Sequence, residues 1–192
     1  MPKLWSQTVD AHRHEVREAI VDTGWELAAE HGPLSMTMSQ VAQETGIGRA
    51  TLYKYFPNVA TILLAGHDRL VRGHLAQLAE LRDGEGDPSD KVENVLSAYA
   101  HMCYHRAQYS TVEMSGLLHR PENVAGPELQ LRALFEDLLT EAAGTATAIV
   151  RNDVAPGELA TYCLHALTAA SEMSSKSAVE RLVTVTLDAL RH

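Results

Sequence analysis

The chain has 192 residues, of which 45% are hydrophobic and 21% charged, and it carries a formal net charge of −9. Enough apolar material is present for packed cores, which excludes a wholly disordered chain, and the excess of acid excludes a bulk nucleic-acid coat protein. The acid is unevenly spread: residues 1–82 hold 8 Lys/Arg against 9 Asp/Glu and residues 83–192 hold 8 against 16, so local contact with DNA stays open to the N-terminal part.

Apolar residues recur at spacings of three and four and strand-favouring runs are scarce, which predicts an all-α fold. The first helix is expected over about Val9 to Glu30, with Val9, Val16, Ile20, Thr23 and Leu27 on one stripe and "EHGP" as its stop. "TMSQVAQETGIGRATLYKYF" then reads as two short helices around a tight turn. Thr37 or Ser39 can cap the first by accepting from free backbone N–H groups, and Gly46 falls where a left-handed backbone is cheapest. The second runs from about Arg49 to Phe56.

Asn58 can cap a long helix that contains Ile62, Leu63, Leu70, Val71, Leu75, Leu78 and Leu81. "RDGEGDPSD" has no large apolar residue and marks a boundary, which makes residues 1–58 a head packed on a long helix over 59–82, and residues 83–192 a second domain. Pro88 suits the first position of a helix whose inner face is Val92, Val95, Leu96, Tyr99 and Met102. A shorter segment, "YSTVEMSGLLH", leads to breaks at Pro121 and again at Gly126–Pro127. Leu131, Leu134, Phe135, Leu138 and Leu139 mark the next helix. Another begins at about Pro156, and after "SEMSSKS" a last one carries Val179, Leu182, Val183, Thr186 and Leu190.

Two helices crossing at a tight turn need a small residue at the crossing, here Ala42, a glycine in the turn, here Gly46, and an apolar inner side, here Val41, Ile47 and Leu52. That leaves Arg49, Ala50, Thr51, Tyr53, Lys54 and Tyr55 facing outward. Two tyrosines beside two cations fit the phosphates and base edges of a DNA major groove. As an alternative, Tyr53, Tyr55 and Phe56 could be core aromatics of a plain helical hairpin.

With the preceding helix ending in "EHG", "TMSQVAQETGIGRATLYKYFPN" resembles the DNA-binding head of TetR/AcrR-type transcriptional regulators. The resemblance implies a three-helix helix-turn-helix head on a larger helical ligand-binding and dimerisation body. It places Arg49, Ala50, Lys54 and Tyr55 near bases, Thr51 and Tyr53 on phosphates, and Ser39 beside the DNA. Where the family usually has a phosphate-clamping lysine this chain has Val59. Asn58 and the start of the next helix are the expected substitutes, because a helix start attracts anions. The implied function is a repressor that holds a pseudo-palindromic operator on double-stranded DNA as a homodimer and is released by a small-molecule effector.

The body carries weaker signals. Tyr99, Met102, Cys103, His105, Met114, Leu117 and Leu118 mix soft apolar and polar groups and are the expected effector site, although each alone reads first as a core residue. "RNDVAPGELATYCLHAL" resembles the start of the family's dimerisation helix. Close-approach alanines Ala160, Ala166 and Ala170, with Leu167, Val179, Leu182, Val183, Leu187 and Leu190, are the expected seam. His101 and His105 share a helical face at metal-binding spacing, which keeps a metal-dependent enzyme open as an alternative beside a helical protein-interaction adaptor. A third ligand is not obvious, and the expectation is no metal, no cofactor and no catalysis. No apolar run reaches membrane-spanning length and "MPKLWSQTVD" lacks a signal-peptide core, so a cytoplasmic location with no membrane contact is expected, and with it two reduced, buried cysteines, Cys103 and Cys163.

Overall fold

A computed structural model describes residues 3–109, 121–144 and 150–191. Among these, regular structure is helical: α1 (Lys3–His31), α2 (Met38–Glu44), α3 (Arg49–Tyr55), α4 (Val59–Asp83), α5 (Pro88–Tyr109), α6 (Pro121–Ala143), α7 (Pro156–Thr168), a 3₁₀ turn (Ala169–Glu172) and α8 (Lys176–Leu190). A single bridge pairs Val150 with Arg191. No described helix is long and apolar enough to cross a membrane.

The described residues divide into two compact units, one up to Leu70 and the other from Val71 onward. The division therefore falls inside α4 rather than in the polar loop after it.

In the first unit, α1 to α3 and the first part of α4 enclose a core of Ile20, Val21, Leu27, Val41, Leu52, Phe56, Ile62 and Leu63. The expected stripe on α1 is only partly correct. Val9 is exposed and Thr23 is half-buried, while Val21 and Ala28 take inner places beside Ile20 and Leu27. The helix begins at Lys3, so its N-terminal part extends well before the residues that meet the core. Where α1 approaches α4, Trp25 donates its indole N–H to the Leu63 carbonyl at 3.2 Å. A Cβ added at Gly66 would lie 1.9 Å from that indole nitrogen, so only glycine lets the ring sit flat on α4.

In the second unit α5 is the central helix and packs against α6, α7, the 3₁₀ turn and α8. Its inner stripe of Val92, Val95, Leu96, Ala100 and Cys103 meets Phe135, Leu138 and Leu139 of α6 and Cys163 and Leu167 of α7. Full burial of each large aliphatic side chain contributes roughly 1.5–3 kcal/mol, so Val92, Val95 and Leu96 each add to a core shared with the neighbouring helices. Lys91 pairs with Glu141 at 3.5 Å across α5 and α6. The expected break at Gly126–Pro127 does not occur, and α6 continues through Pro127. The proline lies past the first turn, so the helix continues without the backbone bond that another residue would make there.

Candidate nucleic-acid interface

The geometry that presents α3 starts with the cap of α2. Thr37 is the N-cap, with its hydroxyl accepting from the Gln40 N–H at 3.3 Å, while the Gln40 side-chain oxygen accepts from the Thr37 N–H at 2.9 Å. This reciprocal pair satisfies donors at both sides of the helix start. Of the two expected caps it is therefore Thr37 that serves, and Ser39 sits half-buried in the first turn of α2.

The other end of α2 stops on Gly46, whose φ of +68° lies in the left-handed region. The Ile47 N–H donates to the Ala42 carbonyl at 3.1 Å and the Gly46 N–H to the Gln43 carbonyl at 3.1 Å. These two bonds define a left-handed helix stop, with Ile47 folded back on the core beside Ala42. Thr45 adds a hydroxyl bond to the Val41 carbonyl at 2.5 Å. The backbone N–H groups of Thr45, Gly46 and Ile47 and the Gly48 carbonyl are thus committed, which fixes the direction in which α3 leaves the bend.

α3 starts from Gly48, whose carbonyl accepts from Leu52 at 3.0 Å, and ends at Phe56, whose N–H donates to the Leu52 carbonyl at 3.0 Å. Leu52 is fully buried and Phe56 nearly so, which pins one side of the helix. Arg49, Ala50, Thr51, Tyr53 and Lys54 are exposed, and Tyr55 is half-buried against the head core. Among the described residues neither Arg49 nor Lys54 is paired with a carboxylate, so both cations are uncommitted. The acids Glu26, Glu30 and Glu44 are gathered instead around a groove of about 250 Å³ with Thr23, Leu27 and His31.

Asn58 is exposed and its side-chain oxygen accepts from the Thr61 N–H at 3.0 Å, capping α4. Its amide NH₂ remains a donor. Val59 is half-buried and packs on the head core, so the residue in place of the expected lysine has a structural task.

Sequence reading passed over a charged cluster on this unit. Arg69 of α4 donates to Glu18 at 2.6 Å and to Asp22 at 2.5 Å, both on α1. Arg17 donates to the other Glu18 oxygen at 3.2 Å, and its guanidinium lies 5.1 Å from the centroid of the Phe56 ring. The signal was present as Glu18 and Asp22 four apart on α1, which share a helical face.

In the body, Tyr99, Met102 and Cys103 lie on one side of α5. Tyr99 meets Phe135 edge-to-face at a centroid separation of 5.4 Å. Burial raises the Tyr99 phenol well above its ordinary range, helped by adjacent Cys103. Burial likewise raises Cys103, which argues against a reactive thiolate there. His105 is half-buried, with its ring 6.4 Å from that of His101 and 5.4 Å from that of Tyr104. Among the described residues no three His, Cys, Asp or Glu side chains gather as a metal site. Met114, Leu117 and Leu118 lie outside the described residues.

The expected seam residues differ in how much surface they keep. Ala160, Leu167, Ala170, Val179, Val183 and Leu190 are buried within the chain's own core, and an area already covered has none left to give a second copy. Ala166, Leu182 and Leu187 are half-buried. The large apolar groups that α7 and α8 still expose are Tyr162 and Val185.

Residues 20–65, which hold α2, α3 and the core that carries them, match the family model for bacterial regulatory proteins of the tetR family. Over 94 residues the chain is 29% identical to the HTH-type transcriptional regulator BetI of Agrobacterium fabrum, a match that covers 49% of this chain and 44% of that protein. The chain thus aligns with less than half the length of this curated relative. As a fold it is similar to a TetR/AcrR-family transcriptional regulator from Thermobifida fusca, with a TM-score of 0.77 at 19% identity, covering 92% of this chain and 98% of that one. It is also similar to the regulator FadR from Bacillus subtilis in complex with stearoyl-CoA, with a TM-score of 0.62 at 15% identity over 91% and 97% of the two chains. A head in register with the tetR family model over residues 20–65, followed by a helical body, makes this chain similar in its head to bacterial tetR-family regulators and gives it a fold shared with TetR/AcrR-family proteins.

Proposed function

We propose that the protein represses transcription by holding a pseudo-palindromic operator as a homodimer, with α3 of each copy in the major groove, and that a small molecule in the body releases it. The observation that carries this reading is the outward face of α3: Arg49, Tyr53 and Lys54 are exposed and the bend behind them is held by backbone bonds at Thr45, Gly46, Ile47 and Gly48. A rigid backbone with unpaired cations spends no binding energy on ordering or on breaking ion pairs before it meets phosphate. Arg49 has the donor fork to grip a guanine, Lys54 and Tyr55 stand beside it for bases, and Thr51 and Tyr53 suit phosphate oxygens. The free NH₂ of Asn58 takes the place of the clamp that Val59 cannot supply.

Two copies follow from geometry, since a seven-residue helix spans only a few base pairs and doubling it raises both affinity and site length. Tyr162 and Val185 are the seam residues to examine first. The effector reading draws on the stearoyl-CoA bound by a regulator of the same fold and on the mixed face of α5 at Tyr99, Met102 and Cys103. The effector need only bind the released state more tightly by a few kcal/mol to empty the operator.

A palindromic fragment from the protein's own promoter region should be retarded by the protein in a gel, with binding that weakens steeply as salt rises. Tyr53→Ala combined with Lys54→Ala should reduce that affinity by about 100-fold or more. Equal binding by the double variant would assign recognition to another surface.

A further inference from the structure

A chain of contacts runs across the head from α4 to the end of α3, and each link is short. Arg69 on α4 donates to one Glu18 oxygen at 2.6 Å, and Arg17 donates to the other at 3.2 Å. The Arg17 guanidinium in turn lies 5.1 Å from the Phe56 ring centroid, and Phe56 is the residue on which α3 ends. Glu18 is the middle of the chain and its side chain is only 25% exposed, whereas Asp22, which takes the second arm of Arg69, is 57% exposed. Arg69 holds the Glu18 carboxyl below its ordinary range through that hydrogen bond, as expected for a carboxylate that stays charged between two cations.

Position makes these contacts more than surface ion pairs. An isolated exposed pair contributes little, but a carboxylate gripped by two guanidiniums has fewer ways to relax, and here one of them also lies over an aromatic ring. Phe56 is buried at 4% exposure and shares the head core with Leu52, so a push on its ring is a push on the C-terminal turn of α3. Arg69 stands at the limit of the first unit, on a helix that continues to Asp83. A rotation or slide of α4 at that point would pull on Glu18 before it reached any residue of α3 directly.

We propose that Glu18 is a positioning residue for operator recognition, passing the position of α4 at Arg69 through Arg17 to Phe56 and so to the recognition helix. Its action on DNA rests on the operator reading above, but its action on α3 does not. Neither Glu18 nor Arg69 needs to touch nucleic acid for this role. Arg17 works as a cover on Phe56 rather than as a phosphate contact.

Two measurements on the full-length protein test this. The first is amide hydrogen exchange without DNA. Glu18→Gln and Arg69→Gln should each raise exchange severalfold across residues 49–56, while a change confined to α1 and α4 would overturn the proposal. The second is operator affinity as a function of salt. Glu18→Gln and Arg17→Gln should each weaken binding about five- to tenfold, and the double variant should be no worse than Glu18→Gln alone, as coupled neighbours behave. Additive losses would overturn the chain of contacts. A salt slope shallower by about one for Arg17→Gln would make Arg17 a phosphate ligand and would also overturn it. If the wild-type protein retards no palindromic fragment, the operator reading fails, and hydrogen exchange still decides whether Glu18 positions α3.

Discussion

Tyr53 in the head and Tyr99 in the body put the same side chain to opposite uses. Tyr53 is 54% exposed on α3 beside an uncommitted lysine, with its phenol offered to whatever meets the helix. Tyr99 is turned into the body, edge-on to Phe135 and next to Cys103, and burial there raises its phenol beyond the ordinary range. The head does its chemistry on a surface and needs a rigid frame underneath. The body keeps its unusual groups inside, where they shape a packed interior. Each unit should accordingly be most sensitive where its frame or its interior is densest.

The largest effect is expected in the body. Phe135→Ala removes a fully buried ring on which Tyr99 leans and should lower unfolding stability by about 4 kcal/mol, read from urea denaturation. A cost under about 1 kcal/mol would mean that the interior collapses readily around Tyr99, and the contrast with the head would lose its basis. In the head, Gly66→Ala would place a Cβ against the Trp25 indole, displacing the ring and its bond to Leu63. A loss of about 2 kcal/mol is expected, with a change in indole fluorescence.

A smaller effect separates framing from contact. Thr37→Ala removes the hydroxyl half of the capping box without touching the face of α3, and should reduce thermal stability by about 1 kcal/mol. Operator affinity should fall with it, because α2 sets the angle of α3. Unchanged affinity would show that the left-handed stop at Gly46 holds α3 by itself.

The smallest effect at neutral pH concerns the body's second thiol. Burial pushes Cys163 up from its ordinary value of 9.0 to about 12. Because the folded value is the higher one, the contribution to stability is complete below pH 9.0 and is lost as pH rises toward about 12. A thiol reagent at about pH 8 should therefore modify Cys163 only at the rate of unfolding. Rapid modification of the native protein would show that the body's interior is open at α7.

Much of the head was legible because its constraints are local. A cap, a glycine at the bend and an apolar residue every third or fourth place are each written within a few residues of the structure they produce. Thr37, Gly46, Leu52 and Asn58 all have the local roles that their types and spacings suggest. Of the two possible caps, Thr37 serves, because its hydroxyl accepts from the Gln40 N–H while Ser39 lies within the helix. The body was less legible for the opposite reason. Ala160, Leu167 and Val183 carry the same pattern whether they meet a neighbour in the same chain or a second copy, and periodicity cannot distinguish the two. Pro127 misled in another way, since a proline in a helix costs one backbone bond and a local clash, which the rest of α6 absorbs.

By itself the sequence determined that the chain is helical, where α3 begins and ends, and that Arg49, Tyr53 and Lys54 stay outside, because those properties depend mostly on neighbours three or four places away. Tyr55, expected outside too, is half-buried. Tertiary structure alone decided that Arg69 reaches Glu18 and Asp22 and that Gly66 must be bare beneath Trp25. Those contacts join residues about forty to fifty places apart, and nothing in a local pattern records which distant side chain will arrive.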